Sequence, residues 1–162
     1  MVNNLNKTIL VAFPQSGADL LVRGLHSILT GQLVYSDVGS EQTMSNCPFV
    51  NLQKIHDIDL KMEIDPNQRY IVQFREPEAT LRSWYRHTIK NKETPWEDFY
   101  DERLRLYDQW KRKWVEGDFN HRILVTYEGL IHNKVKTVKA VADFIGEVDY
   151  SHRIPYLGAW ST

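Results

Sequence analysis

Short apolar runs alternate along this chain with longer stretches in which apolar residues recur every three or four positions. Thr8 to Phe13 is a continuous apolar run stopped by Pro14, the pattern of a strand covered on both faces of a parallel sheet. Ser16 and Gly17 lead into ADLLVRGLHSIL, where Leu20, Leu21, Gly24, Leu25, Ile28 and Leu29 share a helical face and Gly31 follows as a C-terminal cap. Further strands are predicted over Phe49 to Ile55, Tyr70 to Phe74 and Ile123 to Tyr127, each bounded by polar or turn residues. Pro77 to Lys90 begins with a proline at a favoured first helical position, and Thr94-Pro95 announces a helix from about Trp96 to Val115. Val135 to Ile145 places Val135, Val138, Val141, Ala142 and Ile145 on one face before Gly146. Residues 32–48 are polar, rich in turn formers and without period, and are expected to form a long connection. Strands alternating with helices imply an α/β fold with a mostly parallel sheet flanked by helices. No repeat, low-complexity tract or Pro/Gly-rich linker divides the chain, so residues 1–162 are expected to form a single domain.

Composition narrows the partners. At 162 residues the chain can bury a core without disulfide or metal staples. With 20 Lys+Arg against 21 Asp+Glu, the net charge of −1 gives no field that would hold nucleic acid or an anionic membrane. Any anion site must be built locally. Cys47 is the single cysteine, which excludes an internal disulfide and Cys-rich metal sites and fits a reducing, cytoplasmic setting. The N-terminal stretch lacks the pattern of a secretory signal, and no run approaches the ~20 apolar residues of a membrane span. His26, His87, His121, His132 and His152 have no ligand spacing, so no metal is expected.

Five places could carry chemistry. The first strand-to-helix turn, Phe13-Pro14-Gln15-Ser16-Gly17-Ala18-Asp19, would aim backbone N–H groups and a helix N-terminus at the carboxyl edge of the sheet, a geometry that binds phosphate or sulfate and that also serves as an ordinary capping turn. It is neither a Walker A loop nor a GxGxxG fingerprint. Arg75 ends the third strand, with Ser83 eight residues later on the next helix; the two can converge on one anion, or Arg75 can pair with Glu76 or Glu78 at the surface. Lys54 and His56 lie two apart at the end of the second strand and so on one face of it. A cation and a base in one cleft suit deprotonation of an acceptor and neutralisation of developing charge. Arg82, Arg86, Lys90 and Lys92 form a basic stripe, and Trp96, Phe99, Tyr107, Trp110 and Trp114 an aromatic one; a solvated face and core packing are their ordinary readings.

In order along the chain, these features resemble the sulfotransferase family that uses 3′-phosphoadenosine 5′-phosphosulfate (PAPS). KTILVAFPQSGADLL resembles the family's 5′-phosphosulfate loop, FREPEATLRSWYRH its 3′-phosphate motif and LQKIHD its strand ending in Lys-Thr-His. ILVTYEGLIHNKVKTVKAVADFIG resembles its Tyr-Glu-Asp-Leu strand and helix, and RIPYLGAW keeps the spacing of its Arg-Lys-Gly-x-x-Gly-Asp-Trp. The resemblance implies a P-loop-type domain with the donor across the carboxyl ends of the strands. It implies that Gln15, Ser16, Gly17, Ala18 and Asp19 occupy the positions that hold the 5′ end, that Leu20 stands where a tryptophan can stack on the adenine, and that Arg75, Ser83 and Arg153 bind the 3′-phosphate. His56 would take the acceptor's proton and Lys54 would steady the sulfuryl group during metal-free, in-line transfer to a hydroxyl or amine, leaving 3′-phosphoadenosine 5′-phosphate (PAP).

The chain also departs from the family. The loop lysine is Gln15, the two loop threonines are Ala18 and Asp19, the loop tryptophan is Leu20, and Ile154-Pro155 follows Arg153. Loss of a cation at the leaving phosphate costs about 2.7–4 kcal/mol, ~10²–10³ in rate, when it is worth as much as an oxyanion-hole donor. Two readings follow: an active sulfotransferase, or a catalytically silent relative that binds a nucleotide or a partner. The chain is short for the family, so small acceptor-pocket excursions and an open glycan or peptide acceptor are expected. A kinase on the same fold is disfavoured, because no Lys-Ser/Thr pair is present to hold Mg²⁺-ATP.

Overall fold

β1 (Thr8–Ala12) runs through the middle of a parallel sheet, paired with β3 (Leu52–Ile55) on one side and β4 (Arg69–Phe74) on the other. The computed structural model describes residues 7–37, 51–88 and 94–146. β2 (Tyr35–Asp37) and β5 (Arg122–Thr126) complete the sheet at its edges, in the order β2-β3-β1-β4-β5. Five helices are described: α1 (Ala18–Ile28), α2 (Pro77–Thr88), α3 (Trp96–Trp114), α4 (Tyr127–His132) and α5 (Lys134–Ile145). None is long and apolar enough to cross a membrane.

Alternation along β1 sorts its side chains into two cores. Leu10 and Ala12 face a layer built from Leu21, Leu25 and Ile28 of α1 and Val138, Val141 and Ile145 of α5. Ile9, Val11 and Phe13 face the opposite layer, where Leu81 of α2 packs with Tyr107, Trp110 and Trp114 of α3. Every residue of β1 is buried, which is why the strand reads as an unbroken apolar run. The aromatic stripe of α3 is core: Phe99, Tyr107, Trp110 and Trp114 are buried, and Phe13 meets Trp84, Tyr107 and Trp110 edge to face.

The strand order also positions the site. From β1 the chain moves to one side to build β2 and β3, then crosses to the other side for β4 and β5. The loops leaving β1, β3 and β4 therefore open from one carboxyl edge at the topological switch point, where α/β sheets bind ligands.

Three elements differ from expectation. β2 falls inside the segment expected to be a connection, because three residues paired to β3 are too few for a periodic signal. The last strand ends at Thr126, whose Oγ1 accepts the N–H of Gly129 at 3.0 Å and so caps α4, a one-and-a-half-turn helix beginning at Tyr127. The helix expected from Val135 begins one residue earlier. Phe49, Val50, Lys90, Lys92, Cys47, most of 32–48 and the RIPYLGAW segment lie outside the described residues.

The turn after β3 is fixed from beneath. Asp57 is buried in a left-handed conformation (φ 47°), and its carboxylate accepts Lys113 Nζ at 2.7 Å, Trp114 Nε1 at 2.9 Å and the Met62 N–H at 2.9 Å. Removing one partner of a buried pair costs more than the pair contributes, because a desolvated charge is left behind. Asp57→Ala is expected to lower unfolding stability by about 3 kcal/mol or more in urea titration. The double variant Asp57→Leu, Lys113→Met should lose less than Asp57→Ala alone; a larger loss would contradict this reading.

Candidate active site

The turn between β1 and α1 is pinned to the neighbouring strand. Ser16 donates its N–H to the Phe13 carbonyl at 3.1 Å and its hydroxyl to the Gln73 carbonyl at 3.3 Å. Gln73, fully buried in β4, returns a bond from Nε2 to the Ser16 carbonyl at 3.0 Å. Gln15 and Gly17 both take positive φ, 61° and 87°. A Cβ on Gly17 would stand 2.5 Å from Cδ2 of Tyr127, so this position accepts only glycine for reasons of both space and backbone. The first-turn N–H groups of α1, including those of Ala18 and Asp19, have no intrahelical acceptor and lie at the positive end of the helix dipole.

Arg75 follows β4 directly, and its guanidinium lies 4.1 Å from the centre of the Tyr127 ring. Its carbonyl accepts the Tyr107 hydroxyl at 2.6 Å; burial pushes that hydroxyl up to about 12, so it stays protonated and keeps donating. The acidic neighbours of Arg75 are occupied elsewhere. Glu76 accepts the N–H groups of Glu78 and Ala79 at the start of α2, and Glu78 pairs with Arg82 at 2.7 Å. Ser83, on the second turn of α2, donates its hydroxyl to Gln15 Oε1 at 3.3 Å, joining the two anion motifs recognised in the sequence.

At the end of β3, His56 Nδ1 lies 2.7 Å from the Ala12 carbonyl. A carbonyl only accepts, so Nδ1 carries the proton and Nε2 keeps its lone pair. Burial holds the His56 pKa below the ordinary 6.5, outweighing the opposing effect of the Ala12 bond; the charge of Lys54 lowers it further. The imidazole is therefore neutral at pH 7. Trp110 Nε1 holds the His56 carbonyl at 2.9 Å from the core side. Lys54 donates to Asp37 at 2.8 Å and Asp19 at 3.2 Å. Burial pulls its pKa down, but the hydrogen bond to Asp37, with Tyr35 and Asp19 behind it, more than reverses the effect and the pKa is raised.

These groups line one cavity of about 300 Å³, formed by residues 13–19 together with Lys54, His56, Arg75, Ser83 and Tyr127. The structure thus brings together Gln15, Ser16, Gly17, Ala18, Asp19, Lys54, His56, Arg75 and Ser83, all singled out in the sequence. Leu20 does not line the cavity: its side chain packs against the core of the α1 face and its N–H bonds to the Gly17 carbonyl. Arg153 lies outside the described residues. Sequence reasoning missed Tyr127, Gln73 and Asp37. Tyr127 reads as the last residue of a strand, Gln73 as one polar residue in an apolar run and Asp37 as part of a connection; only Tyr127 lay within a recognised motif.

The sequence model described as Sulfotransferase family matches residues 5–150. A search of the curated proteins by sequence found no match. Among solved structures, mouse sulfotransferase SULT7A1 complexed with PAP is similar at a TM-score of 0.63 and 15% identity, covering 96% of this chain and 65% of that one. Retinol dehydratase in a complex with retinol and PAP is similar at a TM-score of 0.62 and 14% identity, covering 94% of this chain and 64% of that one. The chain thus spans slightly less than two thirds of the length of either protein, and at these identities the likeness establishes the α/β fold. The family match, over most of the chain, says more: this protein belongs to the sulfotransferase family.

Proposed function

We propose that the protein transfers the sulfuryl group of PAPS to a hydroxyl or amine acceptor, with His56 as the base. The observation that carries this reading is the His56 imidazole, neutral, with Nδ1 committed to Ala12 and Nε2 left to accept a proton, lining the same cavity as Lys54 and the β1–α1 turn. The residues present fit the donor's two anionic ends. At one end are the first-turn N–H groups of α1, approached over Gly17, where a side chain would collide with Tyr127. At the other are the Arg75 guanidinium, its acidic neighbours already occupied, and the Ser83 hydroxyl. The donor supplies the sulfuryl group, and this chain's residues supply orientation, charge and the base.

In this reading His56 Nε2 takes the acceptor's proton as the acceptor oxygen or nitrogen forms its bond to sulfur. The bond between sulfur and the bridging phosphate oxygen breaks, and its electron pair stays on that oxygen. Lys54 faces the charge on the sulfuryl oxygens. Gln15 stands where the family's cation would be, its Nε2 a neutral donor for the leaving phosphate, and the one hydroxyl proton of Ser83, given to Gln15 Oε1 in the structure, turns to the 3′-phosphate when the donor binds. His56 then loses its proton to solvent.

Labelled sulfate transfer from PAPS to a panel of glycan, peptide and amine acceptors tests this. Accumulation of labelled product is expected with the wild type, with a loss of at least ~10²-fold in His56→Ala; retained turnover in that variant would remove His56 from the role of base. Absence of transfer to any acceptor would favour the catalytically silent reading that Gln15 and Asp19 raise.

The pH profile follows from the direction of the His56 shift. Because its pKa lies below 6.5, kcat/KM should be flat at neutral pH and fall only as acid protonates Nε2. Histidine NMR should report the Nδ1–H tautomer at pH 7. A profile breaking above pH 6.5, or an Nε2–H tautomer, would contradict the geometry.

A further inference from the structure

The charges at the transfer end of the cavity are unusual for a site proposed to hold an anion. Lys54 is the one cation among residues 13–19, Lys54 and His56, and its Nζ is held by two carboxylates. Asp19 sits in the first turn of α1, with most of its side chain exposed, and Asp37 ends the edge strand β2, half-exposed. Lys54 itself is nearly buried, its side chain 10% exposed, so its head has little freedom to leave the pair for water. β3 pairs with β2 in a register that places Asp37 directly beside Lys54, and the shorter of the two contacts is the one to Asp37. With Gln15 and His56 neutral, Asp19, Lys54 and Asp37 carry a formal sum of one negative charge.

We propose that Asp37 is a specificity-determining residue that competes with the donor's sulfuryl group for Lys54, and so sets how strongly the site prefers PAPS over PAP. This rests on the donor assignment made above. Fully ionised PAP and PAPS carry the same formal charge, but PAPS places part of it on the sulfuryl group, beyond the 5′-phosphate. A sulfuryl group seated on Lys54 lies within a few ångströms of the carboxylate already bound there and is repelled by it. PAP ends one group earlier and feels Asp37 less. The repulsion weakens binding of the fresh donor relative to the spent one. Asp19 also holds Lys54, at 3.2 Å, but it belongs to the phosphate-binding turn as well, so its charge acts on both nucleotides.

The test is equilibrium titration of the wild type, Asp37→Asn and Asp19→Asn with PAP and, separately, with PAPS in the absence of acceptor. Asp37→Asn keeps the shape and an acceptor oxygen at a half-exposed edge position, and circular dichroism checks its fold. Asp37→Asn should tighten PAPS about five- to twentyfold, as expected for removing one charge a few ångströms away at a partly exposed site, and PAP by about twofold or less. Asp19→Asn should tighten both nucleotides, with a smaller gap between them than in Asp37→Asn. NMR titration of the Lys54 side chain gives an independent readout, its pKa falling in Asp37→Asn as the charged hydrogen bond is lost. Equal changes for PAP and PAPS in Asp37→Asn, or weaker PAPS binding, would overturn the inference while leaving the donor assignment intact. Failure of every protein to bind either nucleotide would overturn both.

Discussion

The reciprocal hydrogen bonds between Ser16 and Gln73 tie the turn after β1 to the strand beside it, and the whole cavity depends on that tie. A glycine-containing turn with two positive-φ residues, Gln15 and Gly17, has high conformational entropy when free. Anchored on a buried amide of β4, it presents a fixed array of α1 N–H groups instead. Gly17 then permits Tyr127 to close over the turn, and Tyr127 carries Arg75 on its face. The segments that follow β1, β4 and β5 are thus held together.

Below this surface, the aromatic core supports the same atoms that face the cavity. Tyr107 and Trp110 are core residues by burial, yet one bonds the Arg75 carbonyl and the other the His56 carbonyl. Asp57, next to His56, is locked by Lys113 and Trp114. Helix α3 therefore sets the position of the proposed base and of the proposed anion-binding arginine together. The electrostatics on the cavity side are more delicate: an uncharged glutamine and a neutral histidine flank a lysine shared by two aspartates.

Much of this was legible because buried strands and helix faces write themselves as apolar runs and periods. β1, α1, β4 and α5 were read near their observed bounds for that reason. Lys54 and His56 were read as neighbours on one face because alternation along β3 is purely local, and both line the cavity. What escaped the sequence depends on contacts between distant segments. β2 is three residues long and exists by pairing with β3. Gln73 acts through a loop 57 residues away, and Asp37 through a lysine 17 residues away. Leu20 packs against the core instead of lining the cavity, because the first turn of α1 carries that position onto its apolar face. The local spacing of Arg75 and Glu76 could not decide whether they pair; the N–H groups opening α2 decided it by taking the carboxylate.

In the proposed function the strand ends form one site with a distinct place for each end of a bisphosphorylated nucleoside. Calorimetric titration with PAP, with AMP as the control and Arg75→Ala as the test of position, addresses it without knowledge of the acceptor. Micromolar PAP binding is expected, with markedly weaker AMP binding and with PAP affinity in Arg75→Ala reduced to the level of AMP. Equal affinities for PAP and AMP in the wild type, or PAP binding indifferent to Arg75→Ala, would contradict it.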